Sequence, residues 1–176
     1  QGIQELQLGN LVQSGDILIV HGSTVATNAA LEGKGVKTAY ITNRGFGDTL
    51  SIGRQTRKAL YNLTPKPTPP PIKKELCLET GGRLDADGTV YEGLSDSDIT
   101  ALVDKITELQ PEAVAINLLF SFLDDRFEKA IEEALPKHLY ISRSSYVLPE
   151  YREYERGMAT WLNSWLGPLV SNYLTR

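Results

Sequence analysis

Residues 16–32 read Asp-Ile-Leu-Ile-Val-His-Gly-Ser-Thr-Val-Ala-Thr-Asn-Ala-Ala-Leu-Glu, and this stretch decides the fold. Its first part, residues 17–20, is a continuous apolar run rich in β-branched residues, which is typical of a buried strand. A turn of small polar residues follows, and residues 24–32 then predict a helix that ends at Gly33. α/β proteins bind ligands where a strand leads through a polar turn into a helix. This order therefore predicts an α/β fold with a ligand site in the turn.

The rest of the chain continues the alternation of strands and helices. Hydrophobic periodicity predicts further strands over residues 37–42, 113–119 and 138–142. It predicts further helices over residues 46–54, 95–110, 124–135 and 150–174. Strand–helix–strand order implies parallel strand pairs joined by crossover helices, so we expect a largely parallel sheet with helices beside it.

A proline-rich segment divides the chain. Five of the eight residues 64–71 are proline, which indicates an extended strap or linker. Residues 72–94 predict a small antiparallel section with a hairpin turn at residues 85–88. We therefore expect a first strand–helix–strand part over residues 1–63 and a second α/β part over residues 95–176, which ends in the long helix.

Composition excludes several classes of function. The 176 residues carry a formal net charge of −4 and no cluster of Lys and Arg interleaved with aromatic residues, so we expect no nucleic-acid partner. The longest apolar run, residues 113–120, contains Asn117 and is too short to span a bilayer, so no membrane partner is expected. The single cysteine, Cys77, excludes an internal disulfide and fits a reducing compartment. We therefore expect a cytoplasmic protein.

Four motifs in a fixed order carry a family resemblance. They lie at residues 45–48, 52–57, 83–88 and 147–156, and read Gly-Phe-Gly-Asp, Ile-Gly-Arg-Gln-Thr-Arg, Arg-Leu-Asp-Ala-Asp-Gly and Val-Leu-Pro-Glu-Tyr-Arg-Glu-Tyr-Glu-Arg. Together with the turn at residues 21–28, they resemble the N-terminal region of the ATP-dependent hydantoinase/oxoprolinase family. That family holds N-methylhydantoinase A and 5-oxoprolinase, with acetone carboxylase subunits as relatives. The resemblance covers nearly the whole chain.

The resemblance implies a fold as well as a family. It implies part of an actin-like ATPase (ribonuclease H-like) domain with a mixed sheet and flanking helices. Members of the family open with an Asp-Val-Gly-Gly-Thr-Phe-Thr-Asp type segment, which forms an actin-like phosphate-binding hairpin. This sequence contains no such segment. We therefore expect an internal fragment of a larger enzyme, inactive by itself.

The resemblance also implies an activity for the parent enzyme. Such an enzyme uses ATP and Mg²⁺ to phosphorylate the carbonyl of a cyclic amide, after which water opens the ring, and the fragment is expected to hold neither cofactor tightly. The implied partners are the rest of the parent chain, a second large hydantoinase-type subunit and the small-molecule cyclic amide. Two alternatives stay open. One is a non-catalytic binding or assembly module, and the other is a subunit of a related ATP-dependent ketone carboxylase.

The first cluster of candidate site residues lies in the turn and the helix that follows it. His21 is the candidate catalytic residue, as a proton donor or as a hydrogen-bond donor to a substrate carbonyl. The residues Ser23, Thr24, Thr27 and Asn28 are candidates for binding a phosphate or an imide. The alternatives are a structural histidine and ordinary helix capping.

The second cluster follows Gly53. Arg54, Gln55 and Arg57 form a compact polar group, and two guanidinium groups together could clamp a carboxylate or a phosphoryl group of the substrate. The alternative is an exposed helix end with solvated arginines.

Three further features have simpler explanations. Residues 85–88 are more typical of a hairpin turn than of a calcium loop, and Asp124-Asp125 are more typical of a helix cap than of a Mg²⁺ site, so no metal ligand is assigned. The charged run 150–156 is typical of a solvated helix face, with an interface as the alternative. Trp161 and Trp165 lie four residues apart on one helix face, which indicates core or interface residues.

Overall fold

Four parallel strands form the main sheet of the computed structural model, which describes residues 9–14, 24–56, 61 and 69–175. The strands are β1 (Thr38–Asn43), β2 (Cys77–Thr80), β5 (Ala113–Asn117) and β6 (Tyr140–Arg143), in the spatial order β2-β1-β5-β6. Antiparallel pairing among the described residues occurs in a separate two-stranded ribbon of β3 (Arg83–Leu84) and β4 (Val90–Glu92).

Seven α-helices and one 3₁₀ turn lie within the described residues. The helices are α1 (Gly9–Ser14), α2 (Val25–Leu31), α3 (Thr49–Ile52), α4 (Asp96–Leu109), α5 (Arg126–Ala134), α6 (Ser144–Val147) and α7 (Glu153–Leu174), and the 3₁₀ turn is Lys74–Leu76. The predicted fold class is confirmed, since helices flank a parallel sheet. The start of α4 has a capping box, because the Ser95 hydroxyl accepts from the Asp98 backbone N–H and the Asp98 carboxylate accepts from the Ser95 N–H.

Three expectations differ from the structure. Residues 72–94 are not wholly antiparallel, because the long connection after β1 lets β2 return in parallel, with Tyr40 beside Cys77 and Asn43 beside Thr80. The expected mixed sheet is, over the described residues, a parallel sheet with a separate antiparallel ribbon. The helix expected over residues 46–54 is limited to α3, because Gly53 takes a positive φ of 57° and stops it.

Some predicted segments lie outside the described residues. These are the first strand at residues 17–20 and most of the proline-rich segment at residues 64–71.

Helices cover both faces of the sheet. Alternate residues of a strand point to opposite faces, so Ile41 and Ile116 pack on one side with α4 and α5, where Leu102 and Ile131 are buried. On the other side, β1 and β5 pack against α7 in a second core. Its buried residues are Tyr40, Leu50, Ile72, Ala115 and Trp161. The result is a three-layer arrangement in which α7 crosses the sheet and reaches the ends of its strands.

Helix α7 lies unusually close to the sheet at Gly157. A Cβ atom there would come within 2.7 Å of the Asn117 amide nitrogen and of the Tyr40 hydroxyl, which is too close for any real side chain. This approach brings the neighbouring Arg156 under the ends of the strands. In the part of the chain that the structure describes, no helix combines the length and the apolar character needed to cross a membrane.

Candidate functional site

Every strand of the main sheet ends on a polar residue at the same edge. The last residues of β1, β2, β5 and β6 are Asn43, Thr80, Asn117 and Arg143, and the first three are buried. The carboxyl ends of parallel strands meet at one edge, which is where open α/β sheets bind ligands. This carboxyl edge is therefore the candidate functional site.

A wholly buried arginine supports the carboxyl edge. Arg156 has no exposed surface, and its Nε donates to the Asn117 Oδ1 at 3.0 Å and to the Ser144 Oγ at 3.1 Å. Its two Nη groups donate to the Leu118 carbonyl at 2.7 Å and to the Glu150 carbonyl at 2.6 Å. Arg156 therefore ties the loops that follow β5 and β6 to the first turn of α7.

A buried carboxylate completes this network. Glu128 is also fully enclosed, and it accepts hydrogen bonds from the Leu118 backbone N–H at 3.0 Å and the Ser144 hydroxyl at 2.6 Å. It accepts a third from the Ser145 backbone N–H at 2.9 Å. The Ser144 hydroxyl thus links Glu128 to Arg156. Burial lowers the pKa of Arg156, and the charge of Glu128 opposes that shift, so the two buried charges compensate each other.

Two asparagines join neighbouring loops. Asn117 donates to the Tyr40 hydroxyl at 2.8 Å and to the Glu153 carbonyl at 3.2 Å. Asn43 accepts from the Leu119 N–H at 2.7 Å and donates to the carbonyl of Gly81, so it connects the segments after β5 and β2. Burial raises the pKa of Tyr40, which keeps its hydroxyl protonated. These amide groups are therefore used to hold the edge in shape.

The loops above this base carry aromatic and charged side chains. After β5, Phe120 takes a left-handed conformation with φ of 58°, which is rare for a bulky residue and typical of a constrained loop near a functional site. After β1, the Gly47 N–H donates to Glu79 at 2.8 Å. Arg44 forms ion pairs with Glu92 and Asp98, which join the main sheet to the ribbon and to α4. Although burial raises the pKa of Asp98, hydrogen bonds from Ser95 and Arg44 outweigh this and lower it.

Of the second predicted cluster, Arg54 and Gln55 lie beside this edge. The Arg54 guanidinium pairs with Glu155 in the first turn of α7, with N–O distances of 2.8 and 2.7 Å, and its side chain is 62% exposed. Gln55 has a left-handed backbone with φ of 52°. Arg57 lies outside the described residues. The proposed clamp stays a prediction.

The described part of the first predicted cluster lies on α2 and not at the carboxyl edge. Thr24, Thr27 and Asn28 belong to α2 and the residue before it, and α2 packs against α7. The Asn28 amide donates to the Thr24 hydroxyl at 3.5 Å, and Thr24 makes no side-chain capping bond. His21 and Ser23 lie outside the described residues.

The two clusters meet opposite halves of α7. Ala26 of α2 lines a groove with Leu166 and Val170, whereas Arg54 contacts Glu155. The helical rise of about 1.5 Å per residue separates Glu155 from Leu166 by about 16 Å. The structure therefore brings Arg54 and Gln55 to the carboxyl edge and does not bring Thr24, Thr27 and Asn28 together with them.

The reading of residues 150–156 as a solvated face is wrong for Arg156. The sequence does hold a signal for its burial, because Thr160 and Ser164 follow at helical spacing and are also buried. The Ser164 hydroxyl donates to the Val114 carbonyl at 2.9 Å, so this polar stripe faces the sheet. The prediction for the two tryptophans is confirmed: Trp161 is buried in the second core, and its ring stacks on Trp165 at 5.1 Å.

The two acids that precede α5 are paired with bases. Asp124 pairs with Arg126, and Asp125 pairs with Lys129 and Arg143. Within the described ranges, no group of three or more His, Cys, Asp and Glu side chains is placed to hold a metal ion.

Comparison with known proteins places the fold in a family. The chain is 34% identical to an uncharacterised protein of Methanocaldococcus jannaschii over 163 residues, which cover 89% of this chain and 24% of that protein. It is 32% identical to the caprolactamase subunit alpha of Pseudomonas jessenii, with 90% and 24% covered, and 26% identical to the acetophenone carboxylase gamma subunit of Aromatoleum aromaticum, with 88% and 23% covered.

A solved structure agrees with these relatives. The crystal structure of the ATP-dependent caprolactamase from Pseudomonas jessenii matches with a TM-score of 0.79 at 32% identity, over 90% of this chain and 24% of that one. The chain thus spans about a quarter of the length of these three relatives. Residues 4–139 match the family model of the hydantoinase/oxoprolinase N-terminal region, and the chain belongs to that family.

Proposed function

We propose that this chain is part of an ATP-dependent cyclic-amide hydrolase of the hydantoinase/oxoprolinase type. The observation that carries the proposal is the likeness to caprolactamase, whose name specifies a cyclic amide, at 32% identity over 90% of this chain. The candidate site supports it, because the carboxyl edge collects the polar ends of four strands around a rigid buried network.

The chemistry explains what such an enzyme requires. An amide carbonyl is a poor electrophile, and phosphorylation of its oxygen creates a leaving group and an electrophilic carbon. The site must therefore orient the carbonyl and stabilise negative charge as it develops. We assign orientation of the carbonyl to His21 and Ser23, which lie outside the described residues. Thr24, Thr27 and Asn28 stay candidates for binding a separate phosphate or imide group, because α2 lies too far along α7 from Arg54 for both to contact one small cyclic amide. We assign the binding of a substrate anion to Arg54, Gln55 and Arg57.

The described residues do not fit Mg²⁺. Three acids near the carboxyl edge pair with bases, namely Asp98 with Arg44, Asp125 with Arg143 and Glu155 with Arg54, whereas Glu79 accepts from the Gly47 N–H. Because no group of three or more His, Cys, Asp and Glu side chains within the described residues is placed to hold a metal ion, we propose that ATP and Mg²⁺ bind outside those residues. We accordingly propose that the 176-residue chain alone does not turn over ATP, that it acts in the cytoplasm, and that it works with the rest of a longer chain and a second large subunit.

One alternative has its own observation. The acetophenone carboxylase gamma subunit is 26% identical over 88% of this chain, which supports a role in ATP-dependent carboxylation of a ketone. The same carboxyl edge would then orient a ketone carbonyl instead of an amide.

A thermal-shift titration separates these proposals. A ligand that binds only the folded state at about 100 times its Kd stabilises it by about 2.7 kcal/mol, or roughly 5–10 °C for a chain of this size. We expect such a rise with caprolactam, hydantoin or 5-oxoproline, without nucleotide. A rise with acetophenone alone would favour the carboxylase, and no rise with any ligand would favour an assembly role.

Variants locate the binding. Arg54→Ala is expected to weaken the shift given by 5-oxoproline, which carries a carboxylate. Arg126→Ala is the matched control, because that guanidinium is equally exposed and pairs with Asp124. Equal effects of the two variants would remove the clamp from the proposal. Mg²⁺-dependent ATP turnover by the purified chain would contradict its expected inactivity.

A further inference from the structure

Arg83 lies at the carboxyl edge, and its guanidinium donors have no hydrogen-bond partner among the described residues. It is the first residue of the ribbon and follows the end of β2 by three residues. Its guanidinium carbon lies 4.6 Å from the centroid of the Tyr91 ring and 5.4 Å from that of Phe46. The two rings restrict the guanidinium, since a cation is attracted to aromatic faces at this distance.

The donors of this guanidinium are unused in the part of the chain that the structure describes. Its Nε is fully enclosed and makes no hydrogen bond, and no carboxylate lies within ion-pair distance of the side chain. Arginine has five N–H donors and needs acceptors for them. Contacts with two rings satisfy none of these donors, so they do not explain why an enclosed N–H is left unpaired.

The neighbouring acids are already engaged. Glu92 stands opposite Arg83 in the ribbon, but its carboxylate pairs with Arg44. Asp87 accepts from the backbone and the hydroxyl of Thr89, which lowers the pKa of Asp87. Asp85 accepts from the N–H of the next residue. Glu92, Asp87 and Asp85 therefore do not compensate the positive charge of Arg83.

A second unpaired polar group marks the same strand end. Thr80 is 1% exposed, and its hydroxyl makes no hydrogen bond within the described residues. It is the last residue of β2, directly beside Asn43 of β1. Buried polar groups are nearly always paired, so two unpaired groups within four residues at a sheet's carboxyl edge indicate a place for ligand atoms.

We propose that Arg83, held by Phe46 and Tyr91, binds an oxyanion of the ligand at the carboxyl edge. The ligand group is a carboxylate or a phosphoryl group, because both match the forked geometry of a guanidinium. The two rings exclude water from one side of the guanidinium, which strengthens the ion pair. The site does not depend on whether the enzyme opens a ring or carboxylates a ketone, since either reaction involves such anions.

The test observes Arg83 itself. The chain is labelled with ¹⁵N-arginine, and the Nε–H resonances are followed by NMR as sodium acetate or inorganic phosphate is added, with sodium chloride at equal ionic strength as the control. The Arg83 resonance is identified by its loss in Arg83→Gln. We expect a saturable shift of this resonance with acetate, with phosphate or with both, and no saturable shift with chloride. Saturation by acetate alone identifies a carboxylate site, and saturation by phosphate alone identifies a phosphoryl site.

Variants exclude a general salt effect. Arg83→Lys keeps the charge but loses the fork, and the loss of one charge-assisted hydrogen bond is expected to weaken binding roughly tenfold. In that variant, binding is followed through the backbone amides of residues 80–84. Tyr91→Leu removes one ring at an exposed position. It is expected to weaken the affinity for the anion several-fold and to leave the fold intact. Arg126→Gln, a change at an exposed and paired arginine, is expected to leave the affinity unchanged.

Some outcomes would overturn the proposal. A shift that does not saturate, or that chloride reproduces, assigns Arg83 a structural role only. Equal affinity for the anion in the wild type and in Arg83→Lys would also assign Arg83 a structural role only. Because anions are used without a cyclic amide, these results are independent of the thermal-shift test of the proposed function.

Discussion

Replacing Arg156 by methionine tests the buried network at the carboxyl edge. The substitution preserves much of the side-chain volume but removes the charge and all the donors. The acceptors on Asn117, Leu118 and Glu150 then lose their partner, and Glu128 becomes a buried charge without compensation. The first turn of α7 also loses one of its connections to β5, while the hydrogen bond from Asn117 to the Glu153 carbonyl remains.

The expected loss of stability is large. Arg156 and Glu128 are linked through the Ser144 hydroxyl, and removing one of two buried charges that compensate each other costs about 3–5 kcal/mol of the free energy of unfolding. For a chain of this length, 1 kcal/mol corresponds to about 2–4 °C in Tm, so Tm should fall by roughly 6–20 °C. Arg156→Lys keeps the positive charge but loses the forked guanidinium. Its Tm should lie between that of the wild type and that of Arg156→Met.

Urea denaturation, followed by far-UV circular dichroism and tryptophan fluorescence, measures these free energies. Arg126→Met is the control, because Arg126 is exposed and its removal should leave the urea midpoint nearly unchanged. In Glu128→Gln combined with Arg156→Met, the loss should be smaller than the sum of the single losses, because the two residues share Ser144. A loss below about 1 kcal/mol for Arg156→Met, or strictly additive losses, would refute the reasoning.

Three other changes test local parts of the structure. Gly157→Ala places a Cβ 2.7 Å from Asn117 and Tyr40, so differential scanning calorimetry should show a loss of stability at least as large as a typical overpacked core, about 1–3 kcal/mol. An unchanged Tm would contradict the close approach of α7. Ser95→Ala removes the capping box and should cost about 1 kcal/mol in urea denaturation, whereas no cost would mean that the cap is not formed in solution. Burial raises the pKa of Cys77 to about 11, so alkylation by iodoacetamide at pH 8 should be slow and should accelerate about tenfold per pH unit. The unfolded chain releases this proton at a lower pH, near 9.0, so the free energy of unfolding should fall as the pH rises from 9.0 to about 11. Fast alkylation that does not depend on pH would contradict the burial of Cys77.

Local sequence signals predict much of this fold. Ser95 and Asp98 specify the start of α4 through a capping box that lies within four residues. The apolar run that forms β5 specifies a buried parallel strand, because both faces of such a strand are covered. These features depend on neighbours in the chain, so the sequence contains the information directly.

The missed features depend on distant contacts. The four residues of β2, Cys-Leu-Glu-Thr, carry no pattern that distinguishes a parallel from an antiparallel partner, and the pairing with β1 is set by the connection between them. Arg156 belongs to a charged run that looks solvated, and its burial follows from the approach of α7 to the sheet at Gly157. Arg83 had a motif but no evident role, because its rings, Phe46 and Tyr91, come from two separate segments.

Hydrogen exchange with mass spectrometry tests the central claim, that ligands bind at the carboxyl edge of the sheet, most directly. The chain is compared with and without a saturating cyclic amide, or the oxyanion found to bind, and protection is mapped by peptide. We predict slower exchange in the segments that follow β1, β2 and β5, at residues 44–56, 81–94 and 118–123. Protection at the opposite edge, where Trp161 and Trp165 line a groove with Val36 and Ile72, would contradict the claim and move the site to the amino ends of the strands.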